Sequence, residues 1–561
     1  MTVALDQRTR EASPPGDTRA VPSRLGRNIS ALAAGQLATW VLGIAWTLVV
    51  PRVLGPSRLG ILVAAGAVTA ILSLVLGVGN LTYFVREMVA RPLEAPSIIA
   101  TAIAARMIIA PVFIIAIAVY ASVEHLGGQA SLVFYLVAVA VLVGLLCEPI
   151  QGAFQAMERM GYVAISNVVT TALASLAAIV LVLAGGRLVA LAVGGVLVAL
   201  GGLVLNVYWA HRHSLIEVKT NTAKLGALVK GSLPYWSTAL AFMVYLMIDS
   251  VILSVMERSE VVGWYGVATK LFGSLLFVPT VIGTAWFPRL VASFEEHESR
   301  LAESARPYIE LLVVLSIPIC AATAMAAKPV MRVLYGQGFA KAAPVLVVLG
   351  FCVPLTYLGI GLFQVLCASK RPLVMTRLLV VTCAANAALN VVLIPVFQRS
   401  QGNGALGSAV SLLITEVIMT SALFFVVGRQ LVNRSFVARV VRTLGAAGAM
   451  WAAFVVSRPF GAAGALSSAA IAFIVAALAL RVPSPEERKA VSTFAAKVLP
   501  GRKKRLHRRG ATHRRVRGAD RGARHLASRR WSPPWGGATP TSRHGAGSRD
   551  VTVAQDEERP S

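Results

Sequence analysis

The sequence predicts an all-α polytopic membrane protein of about fourteen transmembrane helices, built as two six-helix lobes with two further helices at the C-terminal end. Three observations carry this. Of the 561 residues, 56 % are apolar and 14 % charged, with mean hydropathy +0.71, whereas a soluble chain is normally about a quarter charged. Apolar runs of the ~20 residues that cross a bilayer recur about fourteen times. The longest internal polar break, His211 to Ser232, follows the sixth run and divides the first twelve into two sets of six.

Residues 1–28 are polar and arginine-rich, with Pro14, Pro15 and Pro22, and read as a disordered cytoplasmic tail. The first apolar run, Ile29 to Val50, is too long for a signal-peptide core. The spans are expected at 29–53, 59–83, 97–120, 131–155, 161–185 and 188–210 for the first lobe, 29–210. A basic cytoplasmic linker, 211–232, leads to the second lobe, 233–428, with spans at 233–256, 261–287, 307–329, 343–368, 372–396 and 404–428. Spans at 438–457 and 462–481 complete the region 429–482; they are rich in Ala and Gly and look like an addition to a twelve-helix core. Lysine and arginine concentrate in alternate short loops, for example Arg86 with Arg91, Arg212 with Lys219 and Lys224, and Lys370 with Arg371. The positive-inside rule then puts both termini in the cytoplasm of a cell-membrane protein.

The net charge of +28 raises the question of nucleic acid, but much of it lies after Leu499. The tail, 483–561, has few large apolar residues and reads as disordered. Its expected partner is anionic lipid, at roughly 1 kcal/mol per basic residue near the surface, and not nucleic acid. The five cysteines all fall inside apolar runs, where a thiol behaves as a small hydrophobe. No disulfide framework, metal site or cofactor is expected. The sequence contains no phosphate loop, zinc-binding His-Glu-x-x-His helix or Gly-x-Ser-x-Gly elbow, so the expected protein is not an enzyme.

Charges inside the apolar runs are the strongest functional signal, because a charge in hydrocarbon costs several kcal/mol and belongs in a bundle interior or water-filled cavity. Asp249 and Lys270 lie on either side of the turn Met256-Glu257-Arg258-Ser259-Glu260. With a rise of ~1.5 Å per residue, both fall roughly 10–14 Å below the outer surface. They are a candidate site or, equally, an ion pair that locks two helices. Glu416 lies near the middle of the twelfth run.

Several segments also match a known pattern in order. Leu54-Gly-Pro-Ser-Arg-Leu-Gly60 with Arg86-Glu87, Asp249 followed by Val262-Gly-Trp-Tyr-Gly-Val-Ala-Thr-Lys270 and Phe287-Pro288, Leu334-Tyr-Gly-Gln-Gly-Phe339, and Asn386 with Asn390-Val-Val-Leu-Ile-Pro395 and Gly402-Asn-Gly404 span residues 28–430. Together they resemble the polysaccharide exporters of the oligosaccharide-flippase family, within the superfamily that also holds lipid II flippases and drug extruders. The resemblance implies two lobes around a central cavity. It also implies a lipid-linked glycan substrate of the undecaprenyl-pyrophosphate type, carried between leaflets by alternating access, with a glycan polymerase or glycosyltransferases as partners. A cation-coupled multidrug extruder and a lipid II flippase are the alternatives on the same fold.

Such a substrate needs cations for its diphosphate and amides, hydroxyls and rings for its sugars. Lys270, Arg106, Arg377 and Arg86 are the candidate phosphate contacts, and Gln36, Asn80, Tyr245, Asn386 and Asn390 the candidate sugar contacts. Asp249 and Glu416 are candidates for ion coupling. A structural role stands beside each: Arg106 and Arg377 can snorkel to headgroups, and the amides can join helices.

Overall fold

The computed structural model describes residues 20–77, 81–216, 222–296, 298–369 and 372–483. Among these residues it is entirely helical: α1 (Ala20–Leu72), α2 (Leu81–Ala90), α3 (Ala95–Val123), α4 (Gly128–Ala156), α5 (Met160–Leu183), α6 (Leu188–Arg212), α7 (Thr222–Met256), α8 (Ser259–Leu275), α9 (Phe277–Glu296), α10 (Glu298–Val330), α11 (Ala342–Ala368), α12 (Pro372–Gln401), α13 (Gly404–Val426), α14 (Arg434–Val456) and α15 (Gly461–Ala479). Thirteen helices among the described residues are long and apolar enough to cross a membrane, which makes this a multi-pass membrane protein.

The first two expected spans are one helix, α1, interrupted at Gly55, where φ is 75° and ψ 169°. That backbone conformation is open to glycine at no steric cost. A straight helix would hold Gly43 and Ala70 about 40 Å apart, yet both line the same cavity, so the chain doubles back at Gly55. Its two arms account for the difference between thirteen helices and fourteen spans.

Two further expectations change. Residues 20–28 belong to α1, and 222–232, placed in the linker from their polarity, form the first turns of α7. Ala, Leu and Lys are good helix formers, and a helix leaving the bilayer needs no change of backbone. The tail 484–561, Asn80 and the side chain of Gln36 lie outside the described residues.

The second and eighth spans are both broken. In the first lobe α1 ends at Leu72 and a short 3-10 turn, Ser73–Leu76, precedes α2. In the second, α8 ends at Leu275 and α9 starts at Phe277. Pro279 has no N–H to give the carbonyl four residues back, which is that of Leu275. A break in hydrocarbon is tolerated only if its freed backbone groups find other partners. At the first break the Leu74 carbonyl accepts the Gly77 N–H at 2.9 Å and the Trp236 indole at 2.7 Å, and at the second the Tyr357 hydroxyl donates to the Leu275 carbonyl at 2.6 Å.

These breaks fall at the same repeat position. Leu72 and Leu275, Gly60 and Gly263, and Arg86 and Arg289 are separated by one common sequence offset. The repeats meet directly where α1 crosses α8. A Cβ on Gly60 would lie 1.6 Å from the Ser259 carbonyl oxygen, and one on Gly263 would lie 2.1 Å from that of Pro56. Each repeat thus presents a glycine to the other's backbone, the close approach that small residues permit between helices in a membrane. The same end is held by the Trp264 indole donating to the Gly338 carbonyl at 2.9 Å and by Arg52 donating to the Val333 carbonyl at 3.2 Å.

Within each lobe the helices pack on one another, α1 to α6 in the first and α7 to α13 in the second. The last two helices pack on α10 through Met325, Met450, Phe454 and Ala469. Arg439 of α14 pairs with Glu310 of α10 at 3.2 Å, and its Nε donates to the Val482 carbonyl.

Candidate functional site

Between the lobes lies a cavity of about 970 Å³. Its first wall comes from the two arms of α1, including Gly43, Trp46 and Thr47 before the fold-back and Leu62, Val63 and Ala67 after it. The opposite wall comes from the second lobe, with Tyr245, Asp249, Tyr265, Lys270, Thr356 and Glu416. Among the described residues, the three charged residues of the lining, Asp249, Lys270 and Glu416, belong to the second lobe.

Asp249 and Lys270 both line the cavity, but they are not paired. The buried Asp249 carboxylate accepts from the Tyr265 hydroxyl at 2.9 Å and from the Asn390 amide at 2.6 Å. The same Asn390 amide nitrogen lies 2.9 Å from the Asn386 carbonyl, and the Asn386 amide donates to Thr415 at 3.3 Å. Asn386 and Asn390 therefore hold Asp249 from α12, and neither is among the lining residues. Their spacing of four residues puts both on one helix face, which is why they converge on one carboxylate. Glu416, also buried, accepts from the Tyr245 hydroxyl at 2.8 Å. Tyr245 thus faces the cavity as a partner of Glu416.

Lys270 is exposed, and the space that it faces is the cavity. Its Nζ sits 5.2 Å from the centre of the Trp46 ring. Among the described residues no carboxylate lies within ion-pair distance of it.

The three arginines lie elsewhere. Arg106 is fully buried inside the first lobe, so it does not reach headgroups; its Nη2 pairs with Glu148 at 2.6 Å, and it lies over the Phe84 ring at 5.4 Å. It also donates to the Leu145 carbonyl. Arg377 is exposed on α12, away from the cavity lining. Arg86 is exposed on α2 and donates to the Tyr235 hydroxyl, linking the first lobe to α7.

Sequence reasoning passed over Glu148, Trp46 and Tyr265. Glu148 falls inside the expected span 131–155, where a charge is itself a signal. With Arg106 matched to Glu148, Lys270 is the cation that the cavity retains. Trp46 and Tyr265 carry no such signal, because an aromatic residue in a membrane helix is ordinary.

Residues 25–294 match the family described as polysaccharide biosynthesis protein. That stretch is just under half of the chain. The match covers the first lobe and the α7 to α9 region, including Asp249 and Lys270. The fold is similar to that of the lipid II flippase MurJ in an inward closed conformation, with TM-score 0.63, 11 % identity, and coverage of 80 % of this chain and 98 % of that one. It is also similar to an inward-facing multidrug resistance MATE transporter of the MOP superfamily, with TM-score 0.52, 14 % identity, and coverage of 74 % and 99 %. A search of curated proteins gave no match. The chain thus resembles the polysaccharide biosynthesis proteins over residues 25–294 and has a membrane fold similar to those of a lipid II flippase and a MATE transporter.

Proposed function

We propose that the protein is a flippase that carries a lipid-linked oligosaccharide of the undecaprenyl-pyrophosphate type across the cytoplasmic membrane for cell-surface polysaccharide synthesis. The observation that carries this reading is the cavity between the lobes, largely apolar, with one cation that no described carboxylate neutralises. Its volume of about 970 Å³ lies at the upper end of the range for small-molecule sites, which suits a glycan head.

Lys270 is the phosphate contact in this reading. A lysine binds phosphate as a point charge with three donors, without the bidentate geometry of arginine. Asp249, Glu416 and their tyrosine donors face the same space and meet sugar hydroxyls. The lipid tail stays in the bilayer while the lobes alternate access to the polar head. Arg86 and Arg377 lie outside the lining and act on the path to it. Both termini are in the cytoplasm, with the Gly55 and Glu257 turns at the outer face, and the basic tail rests on anionic lipid. A polymerase or glycosyltransferases supply and consume the substrate.

The test is the leaflet accessibility of a lipid-linked oligosaccharide in vesicles with and without the protein. A faster loss of protection with the protein is expected; an unchanged rate sinks the reading. Two cavity carboxylates, each held by a tyrosine, favour one second reading, a cation-coupled extruder. It predicts that collapsing the proton and sodium gradients stops transport of a cationic drug and that the oligosaccharide is not moved. Competition by lipid II at equal affinity would point instead to a lipid II flippase.

A further inference from the structure

The cation of the cavity is held by a ring rather than by an acid. Lys270 Nζ lies 5.2 Å from the Trp46 centroid, and both side chains line the cavity. The two carboxylates of the lining are engaged by other donors, Asp249 by Tyr265 and Asn390, and Glu416 by Tyr245. A ring face attracts an ammonium through its quadrupole, and tryptophan does so best. It carries no net charge, so it fixes the ammonium without neutralising it. An ammonium has three N–H donors, and a ring covers one side of it. The other side stays available to an anion entering the cavity. A carboxylate in the same place would have to be displaced first.

We propose that Trp46 is a positioning residue that holds Lys270 in the cavity with its charge unspent, so that a phosphate group of the substrate meets a cation already in place. The inference rests on the cavity being the site for a lipid diphosphate. Trp46 belongs to the first lobe and Lys270 to the second, so the placement lasts only while the lobes keep this arrangement. Anion affinity is therefore tied to the conformation of the pair of lobes.

A double-mutant cycle on the full chain in nanodiscs tests this, with farnesyl pyrophosphate as the probe and empty nanodiscs as the blank. Lys270→Gln weakens binding. Trp46→Leu weakens it about 3- to 30-fold, the range that a cation–π contact supplies, and Trp46→Tyr and Trp46→Phe retain affinity in that order. In the Lys270→Gln background Trp46→Leu has no further effect. An equal loss in that background means that the ring meets the ligand itself, and overturns the positioning role. So does Trp46→Leu binding as well as the native chain. Wild-type protein that does not bind the probe, or Lys270→Gln that binds it unchanged, defeats the reading of the cavity as a diphosphate site, and this inference with it; failure of the Trp46 variants alone defeats only the inference.

Discussion

Replacing Asp249 by Ala leaves the Tyr265 hydroxyl and the Asn390 amide, both buried, without the carboxylate that receives them. A cost of about 1–3 kcal/mol is expected for donors stranded in this way, read as a lower unfolding temperature in detergent. Adding Lys270→Ala restores nothing, because the lysine is held by Trp46; recovery in the double variant would show a hidden ion pair. Arg106→Ala removes a fully buried partner of Glu148, whose side chain is 35 % exposed. Breaking a buried pair costs 3–5 kcal/mol, and the wetted Glu148 places this one at about 3. Arg106→Met with Glu148→Gln recovers much of the loss. Asp249, Lys270, Tyr245 and Glu416 were legible in the sequence as polar groups inside apolar runs, and all four line one cavity. Azimuth was not legible: whether Lys270 turns to Asp249 or to Trp46 depends on how two lobes dock, and one helix's residues do not encode that.

At the scale of the element, the two broken spans make the clearest claim. Tyr357→Phe removes the donor to the Leu275 carbonyl that its helix has freed and is expected to destabilise by about 1–3 kcal/mol. Trp236→Phe costs less, because the Leu74 carbonyl keeps the Gly77 N–H, and an equal loss in both would show that the backbone bond does not satisfy the first break. The Gly60 and Gly263 crossing leaves no room for a Cβ on either side. Gly60→Leu therefore pushes the lobes apart at the Gly55 end. In a background without the natural cysteines, Ser250→Cys in the cavity wall should label faster from that side. Labelling at the native rate would show that the crossing does not close the cavity. Gly55 and Pro279 are residues of the helix-breaking type, and the run lengths set most other helices to within a few residues, but α7 and α10 begin at Thr222 and Glu298, well before the apolar runs expected from 233 and 307. The first-lobe break has no proline to announce it, and a hydrophobic run of constant polarity hides a change of axis.

For the whole molecule, the proposed orientation has its own check. A reporter that matures only in the cytoplasm should fluoresce when fused before the first span and again after Ala479; a dark fusion at either position overturns the topology. The alternating distribution of lysine and arginine is the basis for that orientation, whereas the spans themselves follow from hydropathy, and the described residues form thirteen helices long and apolar enough to cross a membrane. The two repeats share breakpoints and a glycine crossing, yet they have diverged in chemistry. The first lobe settles its internal charge privately, Arg106 on Glu148, and gives the cavity an apolar wall with a few hydroxyls and one tryptophan. Among the described residues, every formal charge lining the cavity is contributed by the second. Cargo preference should therefore be inherited unevenly. If the cargo is the proposed lipid-linked oligosaccharide, a chimera that keeps the first six spans and takes the next six from a paralogue follows the donor's choice of glycan, while the reciprocal chimera keeps the original one.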